Sequence, residues 1–241
     1  MELKRQGAEV VYFDICDPTT HAAALEGCHG IYVVTNYWEH GSIDTEQEQV
    51  KSIAESIEKA GIQHVIWSTL EGTTAFFNSL DESQRPNKID GHDCYVPHFD
   101  GKHESDQYFP PDKTTKLYTS MYLENLAGTG MVHDGVLVNN MGDSPLPVIA
   151  CDDIGKCAYG IFQAGMKYRG KNVYVAGDVQ TCKSLMSIAS EVTQRQFEYK
   201  YVDRETCASM DFPGANALAN MFDFIVQSET FVKKRNPRTA K

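Results

Sequence analysis

The stretch GIYVVTNYW, residues 30–38, decides the fold of this 241-residue chain. Its first half is an uninterrupted apolar and β-branched run, which predicts a strand buried on both faces, as in a parallel sheet. Its polar and aromatic second half, Thr35 to Trp38, would then lie at the carboxyl end of that strand. Ligands of open α/β sheets bind beyond this end. The stretch therefore predicts a fold and a place for a ligand together.

Outward from this stretch, short strands alternate with helices. Residues 8–14 (AEVVYFD) and 63–68 (QHVIWS) predict two further buried strands. Residues 18–25 and 43–60 predict helices between them. Strands and helices that alternate with short connections are typical of a doubly wound parallel sheet.

The rest of the chain predicts mixed elements. Residues 73–98 are polar and are interpreted as a loop, and residues 99–109 as a helix that Pro110 and Pro111 end. Further predictions are strands at 116–121 and 172–176, a hairpin at 131–139, and helices at 152–165 (capped by Asp152 or Asp153), 181–194 and 213–226. We predict one domain over 1–241, with an incomplete sheet core at 1–128 and a mixed part with a smaller C-terminal α/β lobe at 129–241.

Composition narrows the classes of partner. A formal net charge of −11 and a pI near 5.1 make direct nucleic-acid binding unfavourable. No apolar run approaches the roughly 20 residues that span a bilayer, so no membrane partner is expected. The basic residues near the C-terminus are interpreted as a solvated tail: Lys233, Lys234, Arg235, Arg238 and Lys241.

Cysteine and histidine patterns point to reduced thiols and a polar loop. Seven cysteines, an odd number without a C-x-x-C pair, predict a protein of the cytoplasm, and of the nucleus as an option. Cys16 is interpreted as a small buried side chain; a redox-sensitive thiol is the alternative. The cluster of Asp90, His92, Cys94, His98 and His103 could bind a metal, but its spacing fits no zinc pattern, and a polar loop is favoured.

Two expected features are missing from the sequence. No G-x-G-x-x-G or G-x-x-G-x-x-G precedes residues 8–14, although such glycines let a backbone approach a pyrophosphate. The sheet is therefore expected to lack its first strand, its glycine-rich turn and its first helix, and to expose an edge. In addition, no Tyr has a Lys four residues later, so the usual Tyr/Lys proton-transfer pair is not encoded.

Several stretches together resemble the NmrA-like family, atypical relatives of the short-chain dehydrogenases. They are GAEVVYFDICD (7–17), GIYVVTNYWE (30–39), GIQHVIWSTLEG (61–72), HFDGKHESDQYF (98–109), YLENL (122–126) and FPGANALANMF (212–222). The resemblance covers nearly the whole chain and implies a Rossmann-type sheet. It is nearest to the animal NmrA-like redox sensors, which bind NADP(H), change conformation and partners with the NADPH/NADP ratio, and show no established turnover.

The resemblance also implies a set of cofactor-binding residues. Lys102 matches the family lysine, which assists chemistry in related enzymes and would here hydrogen-bond the nicotinamide ribose. The other implied positions are Asp14 and Ile15 near the adenosine, Asn36, Tyr37 and Trp38 along the middle and the nicotinamide end, and Tyr122, Leu123, Glu124 and Asn125 closing over the nicotinamide.

The hypothesis is an NADP(H)-sensing regulatory protein with impaired or lost dinucleotide binding, because family members begin with a strand, glycine-rich turn, helix and second strand that this sequence does not show. A regulatory protein partner is implied, and a homodimer is left open. One alternative is an NADPH-dependent oxidoreductase with Lys102 as base or proton relay. Another is a cofactor-free interaction module that binds through the sheet edge and a helix at 212–224.

Overall fold

The computed structural model describes residues 2–89, 91–126 and 131–235. Within them, the helices are α1 (Glu2–Arg5), α2 (His21–Leu25), α3 (Ile43–Lys59), α4 (Thr74–Ser79), α5 (Pro97–Ser105), α6 (Cys151–Gln163), α7 (Cys182–Thr193), α8 (Arg204–Ala208), α9 (Ala215–Gln227) and α10 (Glu229–Arg235). The strands are β1 (Gly30–Val33), β2 (His64–Thr69), β3 (Thr114–Tyr118), β4 (Met121–Tyr122), β5 (Val132–His133), β6 (Val136–Asn139), β7 (Leu146–Ile149), β8 (Asn172–Tyr174), β9 (Asp178–Gln180) and β10 (Glu198–Tyr201). None of these helices is both long and apolar enough to cross a membrane.

The main sheet has four parallel strands in the order β1-β2-β3-β8. Helix α3 connects β1 to β2, α5 connects β2 to β3, and α6 lies between β3 and β8. Strand β2 is buried along its whole length, and α3 packs its apolar face, including Val50, Ile53 and Ile57, on one side of the sheet. A parallel sheet between layers of helices confirms the predicted α/β fold class.

Strand β1 is the edge of this sheet, and one of its faces is less covered than predicted. Val33 is buried, whereas the side chains of Tyr32 and Val34 are 37% and 52% exposed. Among the described residues, β1 forms a ladder with β2 alone. The strand predicted at residues 31–34 is confirmed as β1 (Gly30–Val33), but its predicted burial on both faces is wrong, because side chains of an edge strand are flanked by a neighbouring strand on one side only.

Residues 8–14 form no strand, so that prediction is wrong. Val10, Val11 and Tyr12 are exposed, and none of the described strands pairs with the segment. Its carboxyl end is fixed locally, because Phe13 stacks on His21 with 4.6 Å between ring centroids. An apolar β-branched run needs a neighbouring strand to become part of a sheet, and this run has none in the described chain.

Helix α4 falls inside the stretch predicted to be a loop, at residues 74–79. The buried carboxylate of Asp100, on α5, accepts hydrogen bonds from the backbone N–H groups of Thr73 (2.6 Å) and Thr74 (3.1 Å). It also accepts from the hydroxyl groups of both threonines. Phe77 on α4 is fully buried. The helix therefore depends on a cap from a distant part of the chain, which local composition does not reveal.

Two small sheets complete the second half. Strands β4, β7 and β9 form one, and β10, β6 and β5 form the other, in which β5 and β6 are antiparallel. The β5–β6 pair confirms the predicted hairpin. Helices α7 and α9 pack in the largest apolar cluster, with Leu185, Met186, Phe222 and Phe224 among its buried members.

Helix α10 is anchored on the main sheet by one buried cation. Arg235 is 2% exposed, and its guanidinium donates to both carboxylate oxygens of Glu71 at 2.5 and 2.9 Å. Arg235 Nε donates to the carbonyl oxygen of Thr119 at 2.8 Å. Because Glu71 follows β2 and Thr119 follows β3, this residue joins the carboxyl ends of two strands. The solvated-tail interpretation is therefore wrong for Arg235; Arg238 and Lys241 lie outside the described residues.

Candidate functional site

A cavity of about 230 Å³ lies at the carboxyl ends of β1 and β3, between helices α5 and α9. Six of the predicted site residues line it together: Asn36, Tyr37, Trp38, Lys102, Tyr122 and Asn125. Thr35, which belongs to the predicted strand-end segment 35–38, also lines the cavity, as do Thr119 and Ser120, which were not predicted. They were missed because the strand was predicted at 116–121, whereas β3 ends at Tyr118, so that Thr119 and Ser120 directly follow the strand end.

The segment after β1 is shaped by its own side chains. Asn36 Oδ1 accepts a hydrogen bond from the Trp38 backbone N–H (3.3 Å) and caps a single 3-10 turn, Tyr37–Glu39. The Tyr37 hydroxyl donates to the carbonyl oxygen of Gly41 (3.1 Å). Burial raises the pKa of Tyr37, so its phenol stays protonated near neutral pH. The segment is therefore preformed rather than dependent on a ligand for its shape.

Lys102 lies in the wall of the cavity, with all three of its N–H donors used inside the protein. Its Nζ donates to the backbone oxygen of Thr35 (2.7 Å), to Thr35 Oγ1 (2.7 Å) and to Glu46 Oε1 (3.0 Å). Burial lowers the pKa of Lys102, and the adjacent Glu46 carboxylate opposes that effect. An ammonium has three donors and no acceptor, so a ligand could engage Lys102 only by displacing one of these partners.

Glu46 is the counter-charge of Lys102 and is fully buried. Its Oε1 also accepts a hydrogen bond from the Thr35 hydroxyl at 2.6 Å. Helix α3 packs closely on α5 at Gly101, where a Cβ would lie 2.9 Å from Glu46 Oε2. Sequence reasoning missed Glu46, since a carboxylate in the first turn of an amphipathic helix is usually solvated.

Trp38 joins the cavity to the FPGA stretch. Its ring lies 4.8 Å from the His98 ring, between centroids. On another side the ring packs on the backbone of Gly214, where a Cβ would come within 2.6 Å of Trp38 Cζ3 and where φ is +84°. Both observations require glycine at this position. The stretches VTNYW, HFDGK and FPGA, which are far apart in sequence, therefore meet at one side chain.

The sequence matches the NmrA-like family over residues 1–239. The chain belongs to the NmrA-like family. A relative described as an NmrA-like family domain-containing protein, from Dictyostelium discoideum, is 24% identical over 221 residues. That alignment covers 84% of this chain and 67% of the relative.

Solved structures similar to this NmrA-like chain share its fold. The NADP(H) complex of Citrobacter sp. triphenylmethane reductase has a TM-score of 0.66 at 16% identity, with 97% of this chain and 81% of that one covered. An NADPH-dependent quinone oxidoreductase from Escherichia coli scores 0.62 at 18% identity, covering 96% and 79%. NmrA, a negative transcriptional regulator in complex with NADP, scores 0.58 at 18% identity, covering 87% and 63%. At these identities the likeness establishes the Rossmann-type fold alone.

Four of the residues that the NmrA-like resemblance implied do not line the cavity: Asp14, Ile15, Leu123 and Glu124. Asp14 instead organises the turn before α2, where its Oδ1 accepts from the Cys16 backbone N–H at 2.9 Å. Glu124 Oε1 accepts from the Cys151 backbone N–H at 2.9 Å, at the start of α6. The predicted cap by Asp152 or Asp153 is therefore wrong, because Glu124 reaches this N-terminus from a separate segment. This hydrogen bond also lowers the pKa of Glu124.

The structure corrects the interpretations of Cys16 and of the histidine and cysteine cluster. The favoured polar loop is wrong for Cys94 and His98, which are buried, and His98 and His103 lie on α5. Cys16 is exposed, and Gln49 Nε2 lies 3.4 Å from its Sγ, so the interpretation as a buried side chain is wrong. In the described part of the chain, no group of three or more His, Cys, Asp and Glu side chains is placed to hold a metal ion. Asp90, one member of the suggested cluster, lies outside the described residues.

His98 is a buried imidazole on the cavity wall. It is 6% exposed, and burial together with the nearby charge of Lys102 lowers its pKa to about 3. Its Nε2 lies 3.4 Å from Met221 Sδ, and its Nδ1 is buried without a hydrogen-bond partner. The ring is therefore neutral at physiological pH, with no strong acceptor nearby.

This depressed pKa predicts a contribution of His98 to acid unfolding. Below about pH 6.5 the unfolded chain binds a proton at His98, whereas the folded chain does not until about pH 3, so stability falls as the pH drops through this window. The slope is at most about 1.4 kcal/mol per pH unit. We expect His98→Gln to become more stable relative to wild type by about 2–3 kcal/mol between pH 7 and pH 4.5, as measured by urea unfolding. A difference that does not vary with pH would contradict this assignment.

Proposed function

We propose that this chain is an NADP(H)-responsive regulatory protein of the NmrA type, which recognises the nucleotide without turning it over. The observation that carries the proposal is the cavity at the carboxyl ends of β1 and β3, where open α/β sheets bind ligands. Its polar lining is mostly uncharged, with hydroxyl and amide groups from Thr35, Asn36, Thr119 and Tyr122. This donor set fits the nicotinamide and its ribose. We propose that Asn36, Tyr37, Trp38, Tyr122 and Asn125 contact that end.

The remaining predicted residues enter this proposal differently. Leu123 and Glu124 would hold the segment after β4 in place rather than contact the nucleotide. Asp14 and Ile15 would face the adenosine only if the segment before α2 is drawn towards a bound nucleotide. Lys102 would hydrogen-bond the nicotinamide ribose by exchanging one of its present partners, which costs binding energy.

The chemistry of the cavity favours recognition over turnover. All N–H donors of Lys102 are engaged by Thr35 and Glu46, so its Nζ cannot serve a substrate without breaking these hydrogen bonds, even though burial lowers its pKa. Burial raises the pKa of Tyr37 and of Tyr122, which keeps both phenols protonated. The cavity therefore offers hydrogen-bond donors, and the remaining titratable group in its described lining, the neutral imidazole of His98, is a weak base because its pKa is lowered to about 3.

We further propose that the 241-residue chain by itself binds NADP(H) weakly. It contains no glycine-rich turn for the diphosphate, and Lys102, the one cation among the described lining residues, is already paired with Glu46. Hydrogen bonds to charged oxygens contribute roughly 1.5–3 kcal/mol each. Losing three of them weakens binding by at least about three orders of magnitude, which takes a micromolar dissociation constant to millimolar.

Calorimetry tests this expectation. NADPH titrated into the 241-residue chain is expected to give a dissociation constant of about 1 mM or weaker. The matched sample is the same chain preceded by a family-type unit of strand, glycine-rich turn, helix and strand, and it is expected to bind at least about 1,000-fold more tightly. Micromolar binding by the 241-residue chain would refute the weak-binding proposal, and no binding by either version would refute nucleotide recognition.

The regulatory output would pass through Trp38. Its ring contacts both His98 and Gly214, so a ligand that moves the segment after β1 also moves the FPGA loop. Phe212 in that loop is 41% exposed. We propose that a protein partner, or a second copy of the chain, binds the surface around Phe212. This binding would take place in the cytoplasm, or also in the nucleus.

The alternative of an NADPH-dependent oxidoreductase is kept because reductases are among the solved structures that share this fold. Purified protein, in both the 241-residue and the extended version, is incubated with NADPH and a panel of quinones and enones. The regulatory proposal expects no loss of NADPH absorbance above the rate without protein. Turnover by the unsubstituted protein would establish the enzyme instead, and its loss in Lys102→Ala protein that circular dichroism shows to be folded would assign the proton transfer to Lys102.

A cofactor-free interaction module that binds through the sheet edge and the helix at 212–224 is the third candidate, favoured by the edge of β1 with which no second described strand pairs and by the exposed Phe212. Partner proteins are pulled down with the wild-type chain and with a variant altered at residues 212–215 (FPGA), each with and without NADPH. This comparison separates the interaction module from the sensor. Capture that never depends on NADP(H), together with no nucleotide binding by the extended version, would select the module.

A further inference from the structure

Strand β10 leaves one edge of its small sheet open. Among the described strands it forms a ladder with β6 alone. The backbone N–H groups of Glu198 and Val202 donate to carbonyl oxygens on the β6 side. Because backbone groups along a strand point alternately to its two sides, those of Tyr199 and Tyr201 point away from β6. No described residue hydrogen-bonds these backbone groups, so the edge offers two N–H donors and two carbonyl acceptors.

A groove of about 770 Å³ lies along this strand, between α7 and the face of β10 that carries Tyr199 and Tyr201. At one end Ser190 on α7 accepts a hydrogen bond from the Phe197 backbone N–H at 2.9 Å, which ties the helix to the start of β10. At the other end the Tyr199 hydroxyl accepts from the Gly142 backbone N–H at 2.9 Å. Both walls are therefore held in place, and the groove exists without a ligand.

The charges of the groove favour a cationic ligand. Its charged lining residues are Asp143, Lys183 and Glu198, so carboxylates outnumber ammonium groups two to one. The Tyr201 ring is 58% exposed and lies next to Gly142, where a Cβ would be 3.8 Å from Tyr201 Cδ2. Asp143 directly follows that glycine. An aromatic face beside a carboxylate attracts the ammonium of a lysine or the guanidinium of an arginine.

An extended peptide can use the open edge and the groove at the same time. A strand that adds to a sheet edge gains main-chain hydrogen bonds, and its alternate side chains enter the pockets beside that edge. Here the main-chain partners are the backbone groups of Tyr199 and Tyr201. The side chains on one face of the added strand would lie over the aromatic rings of the groove, within reach of Asp143.

We propose that β10 and this groove bind an extended, basic segment of a partner protein. The segment adds to the open edge of β10 as a further strand and places a lysine or arginine side chain over the Tyr201 ring, beside Asp143. This inference goes beyond nucleotide recognition and does not require it, because the groove and the cavity have no lining residue in common.

Three rhodamine-labelled peptides test the proposal by fluorescence anisotropy, with the full chain and without NADPH. The peptide TVRVRVT has one basic face and is expected to bind saturably, with one site per chain. TVEVEVT has the same pattern with the charge reversed, and it is expected to bind at least about tenfold more weakly. The third peptide is TVRVRVT with N-methyl groups on its three central residues. It keeps the charge but loses main-chain donors, so it is also expected to bind at least about tenfold more weakly.

Two variants locate the site. Asp143→Lys reverses a charge in an exposed turn and is expected to weaken binding of the basic peptide at least about tenfold. Tyr201→Leu keeps an apolar side chain and removes the ring, which is expected to weaken binding about threefold to tenfold. Glu55→Lys, an exposed change on α3, alters the net charge by the same amount as Asp143→Lys. In about 0.15 M salt this control should change the dissociation constant less than about twofold.

The proposal is overturned if the basic peptide shows no saturable binding, if the acidic or the N-methylated peptide binds equally well, or if Asp143→Lys binds like Glu55→Lys. A dimer of the chain that excludes the peptide would also overturn it, because a second copy would then occupy the edge. Thermal melting checks that the variants are folded, and if Tyr201→Leu is not, Asp143→Lys decides the result. Because the titration contains no nucleotide, its failure is separate from any failure of NADPH binding.

Discussion

Replacing Arg235 by methionine is expected to lower the free energy of unfolding by about 3–5 kcal/mol, one of the two largest effects of a single substitution that we predict. The change leaves the carboxylate of Glu71 in a largely buried position without its bidentate partner. It also removes the donor to the Thr119 carbonyl. Uncompensated buried charges account for most of such a loss. Urea unfolding followed by circular dichroism measures it.

Two further variants separate charge from geometry at this position. Arg235→Lys keeps the charge but cannot form the paired, planar contact with Glu71, so we expect it to recover only part of the loss. Lys233→Met lies on the same helix, is exposed, and should change stability by less than about 0.5 kcal/mol. If Arg235→Met behaves like the Lys233 variant, α10 is not anchored as described.

Local signals in the sequence predicted those elements whose partners lie nearby. Helix α3 begins after Ser42, whose side chain accepts from the Thr45 backbone N–H, and its apolar residues recur at helical spacing. Such a helix is specified within its own residues. The same reasoning failed at residues 8–14, because a strand is completed by its neighbour and the described chain offers none.

Elements that depend on contacts with residues far away in the sequence could not be predicted from local signals. Helix α4 is capped by Asp100, 27 residues after Thr73. In the sequence, Arg235 belongs to a run of basic residues that predicts a solvated tail. In the structure it is buried because it pairs with Glu71, 164 residues away. In both cases sequence composition shows a polar residue, while its burial is decided by the fold.

The site likewise contains residues that local signals predict and residues whose role depends on distant partners. The rule that ligands bind at strand ends brought Asn36, Tyr37 and Trp38 to the cavity, because it depends only on where a strand stops. The rule does not describe how a side chain is held. Glu46, which lies outside every motif of the resemblance, fixes Lys102 from 56 residues away and decides what that lysine can do.

The buried pair of Lys102 and Glu46 gives the second large prediction. Lys102→Met leaves a fully buried carboxylate with one remaining hydrogen bond, from Thr35, and is expected to lower the free energy of unfolding by about 3–5 kcal/mol. Adding Glu46→Leu removes the orphaned charge. Since apolar replacements of a buried ion pair are often neutral, we expect the double variant to regain at least about half of the loss. Lys51→Met, an exposed change on α3, is the control and should cost less than about 0.5 kcal/mol.

The double variant also separates structure from ligand recognition. If Lys102 is chiefly a structural cation, the double variant with the N-terminal unit added binds NADPH within about tenfold of the unsubstituted extended chain, because a hydrogen bond from an ammonium to the nucleotide, worth about 1.5–3 kcal/mol, is then not made. Stability that does not recover in the double variant would contradict the ion-pair account. A loss of binding far beyond tenfold in a folded double variant would instead mean that Lys102 leaves Glu46 and Thr35 to hold the nucleotide.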